Sequence, residues 1–153
     1  MAFSYLPSIE SRDLADDIQE LFAELAATLK HEHRAFTGEC HPPIDVRETE
    51  RTLEVVVDVA GIPPQALRVM FRSDVILVAG EKAPPPATDE QTYHLVEREF
   101  GRFARAVRVD GAFDIEHATA TVDRGALVIT LPKLAERRGR SHRIRIAPPS
   151  REP

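Results

Sequence analysis

Three clusters of side chains stand close enough along the sequence to do chemistry. His31, Glu32 and His33 precede Cys40 and His41, and imidazole, carboxylate and thiolate are the groups that hold zinc. Residues 31 and 33, however, point to different sides of a helix. Cys40 is the single cysteine, which excludes an internal disulfide and a cysteine-rich zinc module. Glu97 and Glu99 would share one face of a strand, and a carboxylate pair can divide acid and base roles. Arg98, Arg102 and Arg105 surround them, so structural ion pairing is the expected use. The same arginines, with Arg108, interleave with Phe100 and Phe103 in the manner of a single-strand stacking surface, but the net charge of −5 opposes a nucleic-acid binder. The serines lack a G-x-S-x-G elbow, no G-x-x-x-x-G-K loop occurs, and Gly61, Gly80 and Gly101 are too isolated for a dinucleotide fingerprint. The expectation is a protein that is not an enzyme, with no cofactor, no metal and no nucleic acid.

The elements that position these residues are constrained by size and composition. A chain of 153 residues, 42% hydrophobic and 29% charged, suits one soluble domain with tails. Twelve prolines, clustered at Pro42-Pro43, Pro63-Pro64, Pro84-Pro85-Pro86 and Pro148-Pro149, argue against a helical bundle and mark breaks between segments. Residues 1–40 hold eight acidic and three basic side chains, and residues 132–153 hold seven basic and two acidic. That asymmetry suggests three regions, an acidic front arm, a mixed middle and a basic tail. No basic start, signal-like apolar stretch or membrane-length run is present, and a cytoplasmic location is expected.

Leu14, Ile18, Leu21, Phe22, Leu25 and Leu29 recur at helical spacing, with acidic residues on the other faces, and predict one amphipathic helix in the arm. The middle reads as strands. Leu53, Val55, Val57 and Val59 alternate with Glu54, Val56 and Asp58; Leu67, Val69 and Phe71 alternate with Arg68, Met70 and Arg72. Residues 75–80 are nearly all apolar. Tyr93–Val96, the arginine-rich stretch around Phe103, Val107 and Val109, and a hairpin of 118–122 with 127–131 complete the set. Seven or more short strands without intervening helices predict an all-β, immunoglobulin-like antiparallel β-sandwich.

The stretch Ala120-Thr121-Val122-Asp123-Arg124-Gly125-Ala126-Leu127-Val128-Ile129-Thr130-Leu131-Pro132-Lys133 resembles the A-x-φ-x-N-G-V-L-x-φ-x-φ-P-K signature, φ being apolar, of the α-crystallin domain of bacterial and plant small heat-shock proteins. Asp58-Val59-Ala60-Gly61-Ile62 with Leu77-Val78-Ala79-Gly80-Glu81, the block Val96 to Arg105, and Arg143-Ile144-Arg145-Ile146, which is similar to the I-x-I tail motif, agree with it. Arg124 stands where Asn is usual and Ala126 where Val is usual; arginine adopts a left-handed turn less readily than asparagine.

The resemblance divides the chain into an arm at 1–41, an α-crystallin domain at 42–133 and a tail at 134–153. It implies an ATP-independent holdase that binds partly unfolded client proteins, forms a dimer-based homo-oligomer, and passes clients to ATP-dependent refolding chaperones. It implies a dimer contact at Tyr93, Leu95, Arg98 and Arg105, with 92–95 crossing to a neighbour's sheet edge. It also implies that Ile144 and Ile146 enter a neighbour's groove between two edge strands, lined here by Val69, Phe71, Ala120 and Val122. The arm stripe Leu14, Ile18, Leu21, Phe22, Leu25 and Leu29 has no obvious partner in its own domain and is expected to meet clients; the alternative is a helix docked on its own sandwich. A p23-like β-sandwich co-chaperone, acting as a monomer without the I-x-I tail, is the competing functional reading.

Overall fold

A computed structural model describes residues 10–29 and 39–135, with side chains from residue 13 onward. One helix, α1 (Glu10–Leu29), precedes seven strands: β1 (Ile44–Glu48), β2 (Thr52–Asp58), β3 (Leu67–Arg72), β4 (Val75–Lys82), β5 (Gly101–Arg108), β6 (Thr119–Asp123) and β7 (Ala126–Pro132). They form two antiparallel sheets, ordered β1-β2-β7-β6 and β3-β4-β5. This is the expected β-sandwich, preceded by the expected helix.

Alternation builds the interior. Val55, Val57 and Val59 are buried, and the ladder sets Val55 opposite Ile129 and Val57 opposite Leu127. Ile76 and Val78 of β4 and Phe103 and Val107 of β5 meet them from the other sheet. Gly80 lies where a Cβ would stand 2.5 Å from the Phe103 ring and 2.9 Å from Leu67 Cδ2, so the ring packs directly on backbone. Cys40 is also in this core, its Sγ donating to the Gly101 carbonyl at 3.6 Å, and burial pushes its thiol above its ordinary 9.0. The end of the expected arm is thereby part of the sandwich.

Both tight hairpins have two-residue loops with positive φ at each position: Ser73 (49°) and Asp74 (63°) between β3 and β4, Arg124 (49°) and Gly125 (78°) between β6 and β7. Two left-handed residues in succession give the turn twist that matches paired strands. Arg124 therefore does occupy the conformation that asparagine takes more readily.

One expected strand is absent from the described chain. Residues 83–100 run irregularly between β4 and β5, so Tyr93–Val96 joins no ladder within this chain. Glu97 and Glu99 consequently share no strand face, and Arg98 lies outside the arginine-rich strand, which begins at Gly101.

β4 differs from the other strands. Every residue from Ile76 to Glu81 is buried, whereas β2 alternates. A continuous buried run requires cover on both faces of the sheet. The sandwich covers Ile76 and Val78; α1 covers Leu77 and Ala79.

Candidate functional site

The arm stripe has a partner in its own domain, which corrects the expectation that it has none. Leu21 and Leu25 are buried with Leu77 and Ala79, and Leu14, Ile18, Phe22 and Leu29 pack partly buried around them with Met70 and Ala104. The outer face of β3-β4-β5 is thus an apolar floor, and α1 lies on it.

Charge fastens the helix to this floor. Leu67, Val69 and Phe71 use the inward face of β3, so the alternate residues Arg68, Met70 and Arg72 face α1. Arg72 pairs with Asp17, a carboxylate otherwise buried among apolar side chains. Arg68 pairs with Glu24 at 3.4 Å, and its Nη2 donates to Thr28 Oγ1 at 2.7 Å. Its Nη1 donates to the carbonyls of Gln65 and Leu67, which fixes the guanidinium plane. On β5, Arg102 lies over the Phe22 ring at 5.4 Å and within 3.7 Å of the buried Glu81 carboxylate. The early carboxylate meets the late arginine and the late carboxylate the early one, so α1 runs antiparallel to β3. Toward its N-terminal end, among the described residues, a cleft of about 150 Å³ lies between Asp13, Leu14 and Asp17 on the helix and Met70, Arg72 and Leu77 on the sheet.

Sequence reasoning found the stripe but missed Asp17, Glu24, Arg68 and Arg72. One available signal was the unbroken apolar run of β4, which demands a second cover. Another was the placement of arginines, not lysines, at alternate positions on an otherwise apolar strand.

β3 and β6 are edge strands, one in each sheet. Val69 and Phe71 lie on the inward face of β3. Ala120 and Val122 lie opposite the buried Ile129 and Leu127, on the inward face of β6. Phe71 and Val122 pack against the core, while Val69 is 36% exposed and Ala120 is exposed. Inward-facing apolar side chains are thus left open at both edges.

The four residues assigned to a dimer contact are not brought together. Tyr93 is 62% and Leu95 73% exposed in the irregular segment. Arg98 stacks on Phe100, at 5.0 Å from its centroid. Arg105 donates to the Pro42 carbonyl at 2.9 Å, tying β5 to the segment before β1. Ile144 and Ile146 lie outside the described residues, as do His31, Glu32 and His33. Among the described residues no three potential metal ligands cluster, and no helix is long and apolar enough to cross a membrane.

Comparison with known proteins places this geometry. The family model described as Hsp20/alpha crystallin family matches residues 45–147. Heat shock protein 16 of Schizosaccharomyces pombe is 27% identical over 119 residues, covering 76% of this chain and 83% of the yeast protein. The 23.2 kDa heat shock protein of Oryza sativa subsp. japonica is 35% identical over 97 residues, covering 60% of this chain and 45% of its own length, less than half of that relative. The solved structure of heat shock protein 16.0 from Schizosaccharomyces pombe superposes with a TM-score of 0.62 at 27% identity, over 72% of this chain and 100% of that one.

Proposed function

The chain belongs to the Hsp20/alpha crystallin family, the small heat-shock proteins, whose role is chaperoning and not catalysis; from that premise we propose that it is an ATP-independent holdase for partly unfolded proteins. The observation that carries the reading is apolar surface held in reserve: among the described residues the stripe of α1 and the floor beneath it pack against each other, with Leu29 also touching the sandwich core. Lifting α1 exposes both. Burying Leu21 and Leu25 contributes about 1.5–3 kcal/mol each, and an amphipathic helix draws most of its stability from the packing of its apolar face, which lifting removes. The lid is therefore at the low-stability end of the molecule. Leu14, Ile18, Leu21, Phe22, Leu25 and Leu29 are then free to meet clients without sequence demands.

Assembly follows the same reading. Thr92–Leu95 supplies a strand to a neighbour's sheet edge, with Arg98 and Arg105 close to that contact. Ile144 and Ile146 enter the open inward faces of β3 and β6 at Val69, Phe71, Ala120 and Val122. Each contact is weak, and several together hold a dimer-based homo-oligomer. Clients pass on to ATP-dependent refolding chaperones, and the protein works in the cytoplasm. Membership of the family favours this over the monomeric p23-like reading.

The test incubates a heat-labile enzyme with the full chain, without ATP, and follows light scattering. Suppression at near-equimolar subunit ratios is expected, by a particle much heavier than a monomer. Undiminished scattering overturns the holdase reading, and a monomeric mass overturns the assembly.

A further inference from the structure

The outer face of β3-β4-β5 carries more information than an apolar patch needs. Asp17 and Glu24 are seven residues apart, which on a helix is two turns along one face, about 10.5 Å. Arg68 and Arg72 are four residues apart on one face of β3, about 13 Å. The two pitches agree to within the reach of an arginine side chain, and each arginine pairs with one carboxylate. Between the carboxylates lies Leu21, and beyond Glu24 lies Leu25, both buried on the floor of Leu77 and Ala79. Arg102 closes the far side by standing over an aromatic ring.

We infer that this face is a receptor for acidic amphipathic helices, that α1 is its resident occupant, and that client helices of the same pattern displace α1 and take its place. The pattern is a carboxylate at i and i+7 with apolar side chains at i+4 and i+8. The inference rests on the chaperone reading and adds to it a client class. Clients of a purely apolar stripe would be chosen by hydrophobicity alone. A floor framed by guanidinium groups adds charge and spacing, because an arginine left without its carboxylate forfeits its charge-assisted hydrogen bonds. A helix with lysines at the two positions is rejected by like charge.

The experiment uses full-length protein and a fluorescent peptide with the sequence of residues 10–29, read by anisotropy. In Leu21→Ala/Leu25→Ala protein, the resident helix is loosened while the arginines remain. That protein is expected to bind the peptide at least tenfold more tightly than the unaltered chain. Arg68→Glu/Arg72→Glu protein is expected to lose this binding and to bind instead a peptide carrying Asp17→Arg and Glu24→Arg. A peptide of identical composition with the two carboxylates moved one position along the helix is expected to bind at least tenfold more weakly. Equal binding of both spacings, or failure of the charge-swapped peptide to rescue, overturns the receptor. Aggregation suppression is measured on the same proteins. If Arg68→Glu/Arg72→Glu protein still protects a client rich in acidic helices as well as the unaltered chain does, the face is not the client site, while the holdase reading stands. If the unaltered chain protects nothing yet binds the peptide, the holdase reading fails and the face belongs to α1 alone.

Discussion

Replacing Arg72 by glutamate tests whether charge holds the helix on its sheet. The Asp17 side chain is 9% exposed and that of Arg72 59%, so the pair lies between interior and water. Two unit charges about 4 Å apart interact by about 1 kcal/mol in water and about 4 kcal/mol at an effective dielectric constant of 20. With one partner more than half exposed, the attraction belongs near the lower end, about 1–2 kcal/mol. Reversing one charge replaces that attraction by a repulsion of similar size, so docking loses about 2–4 kcal/mol. At about 1.4 kcal/mol per decade, the open-to-closed ratio rises about 30- to 700-fold. The sandwich is spared, because Arg72 joins the β3–β4 ladder through its backbone opposite Val75. Hydrogen exchange reads the result: amides of α1 lose protection, since undocking removes the packing that supplies most of the helix's stability, while those of β2 and β7 keep theirs. Adding Asp17→Arg to the Arg72→Glu protein restores protection to α1. Unchanged exchange in the single variant, or a double variant as open as the single, refutes the electrostatic clasp. Loss of protection in β2 and β7 together with α1 refutes the idea of a separate lid.

Three further outcomes are expected. Arg124→Asn relieves a left-handed arginine whose contact with Asp123, at 3.6 Å between exposed groups, contributes little; it should raise the urea-unfolding free energy by about 0.5–1 kcal/mol, and a lower midpoint would contradict the turn argument. Gly80→Ala forces the Phe103 ring off the backbone and should cost about 1–3 kcal/mol, with Phe103→Leu in the same chain recovering part of it; a neutral Gly80→Ala would show that the ring has room. The Cys40 thiol is held above 9.0 by burial, so the folded state keeps a proton that the unfolded chain releases, and stability falls as pH rises past 9.0. Cys40→Ala should unfold with a shallower decline over that range, and an identical slope would remove the thiol from the account.

The strands were legible wherever one face is buried and the other wet. Leu53, Val55, Val57 and Val59 announce β2 by alternation, and the same rows stand in the core. The helix was legible from its stripe, and β4 from its apolar run. What joins them was not. The pair Asp17–Arg72 spans 55 positions, and no local pattern couples charges so far apart. Two features that looked unrelated, a stripe lacking a partner and a strand with two apolar faces, are one contact. Tyr93–Val96 carries the residue types of a strand, but a strand needs a ladder, and this chain offers none to that segment; the pairing expected of it is with a neighbour's sheet edge. Side-chain type reports propensity, and only a neighbouring backbone completes the element. Cys40 falls within the arm drawn at 1–41, yet its thiol is buried with Phe103 and Val107.

The docking of α1 on β4 also sets an order of events during synthesis. A polypeptide leaves the ribosome from its N-terminus, and α1 ends at Leu29 while the sheet that receives it is complete only at Arg108. About eighty residues separate the two, which at about 5–20 residues per second leaves the stripe uncovered for several seconds on every nascent chain. During that interval Leu21, Phe22 and Leu25 are open to other growing chains on the same message. The acidic residues along the helix, Asp13, Asp16, Glu20 and Glu24 among them, then set like charge between neighbouring nascent arms, which opposes their association until each has a sheet of its own to lie on.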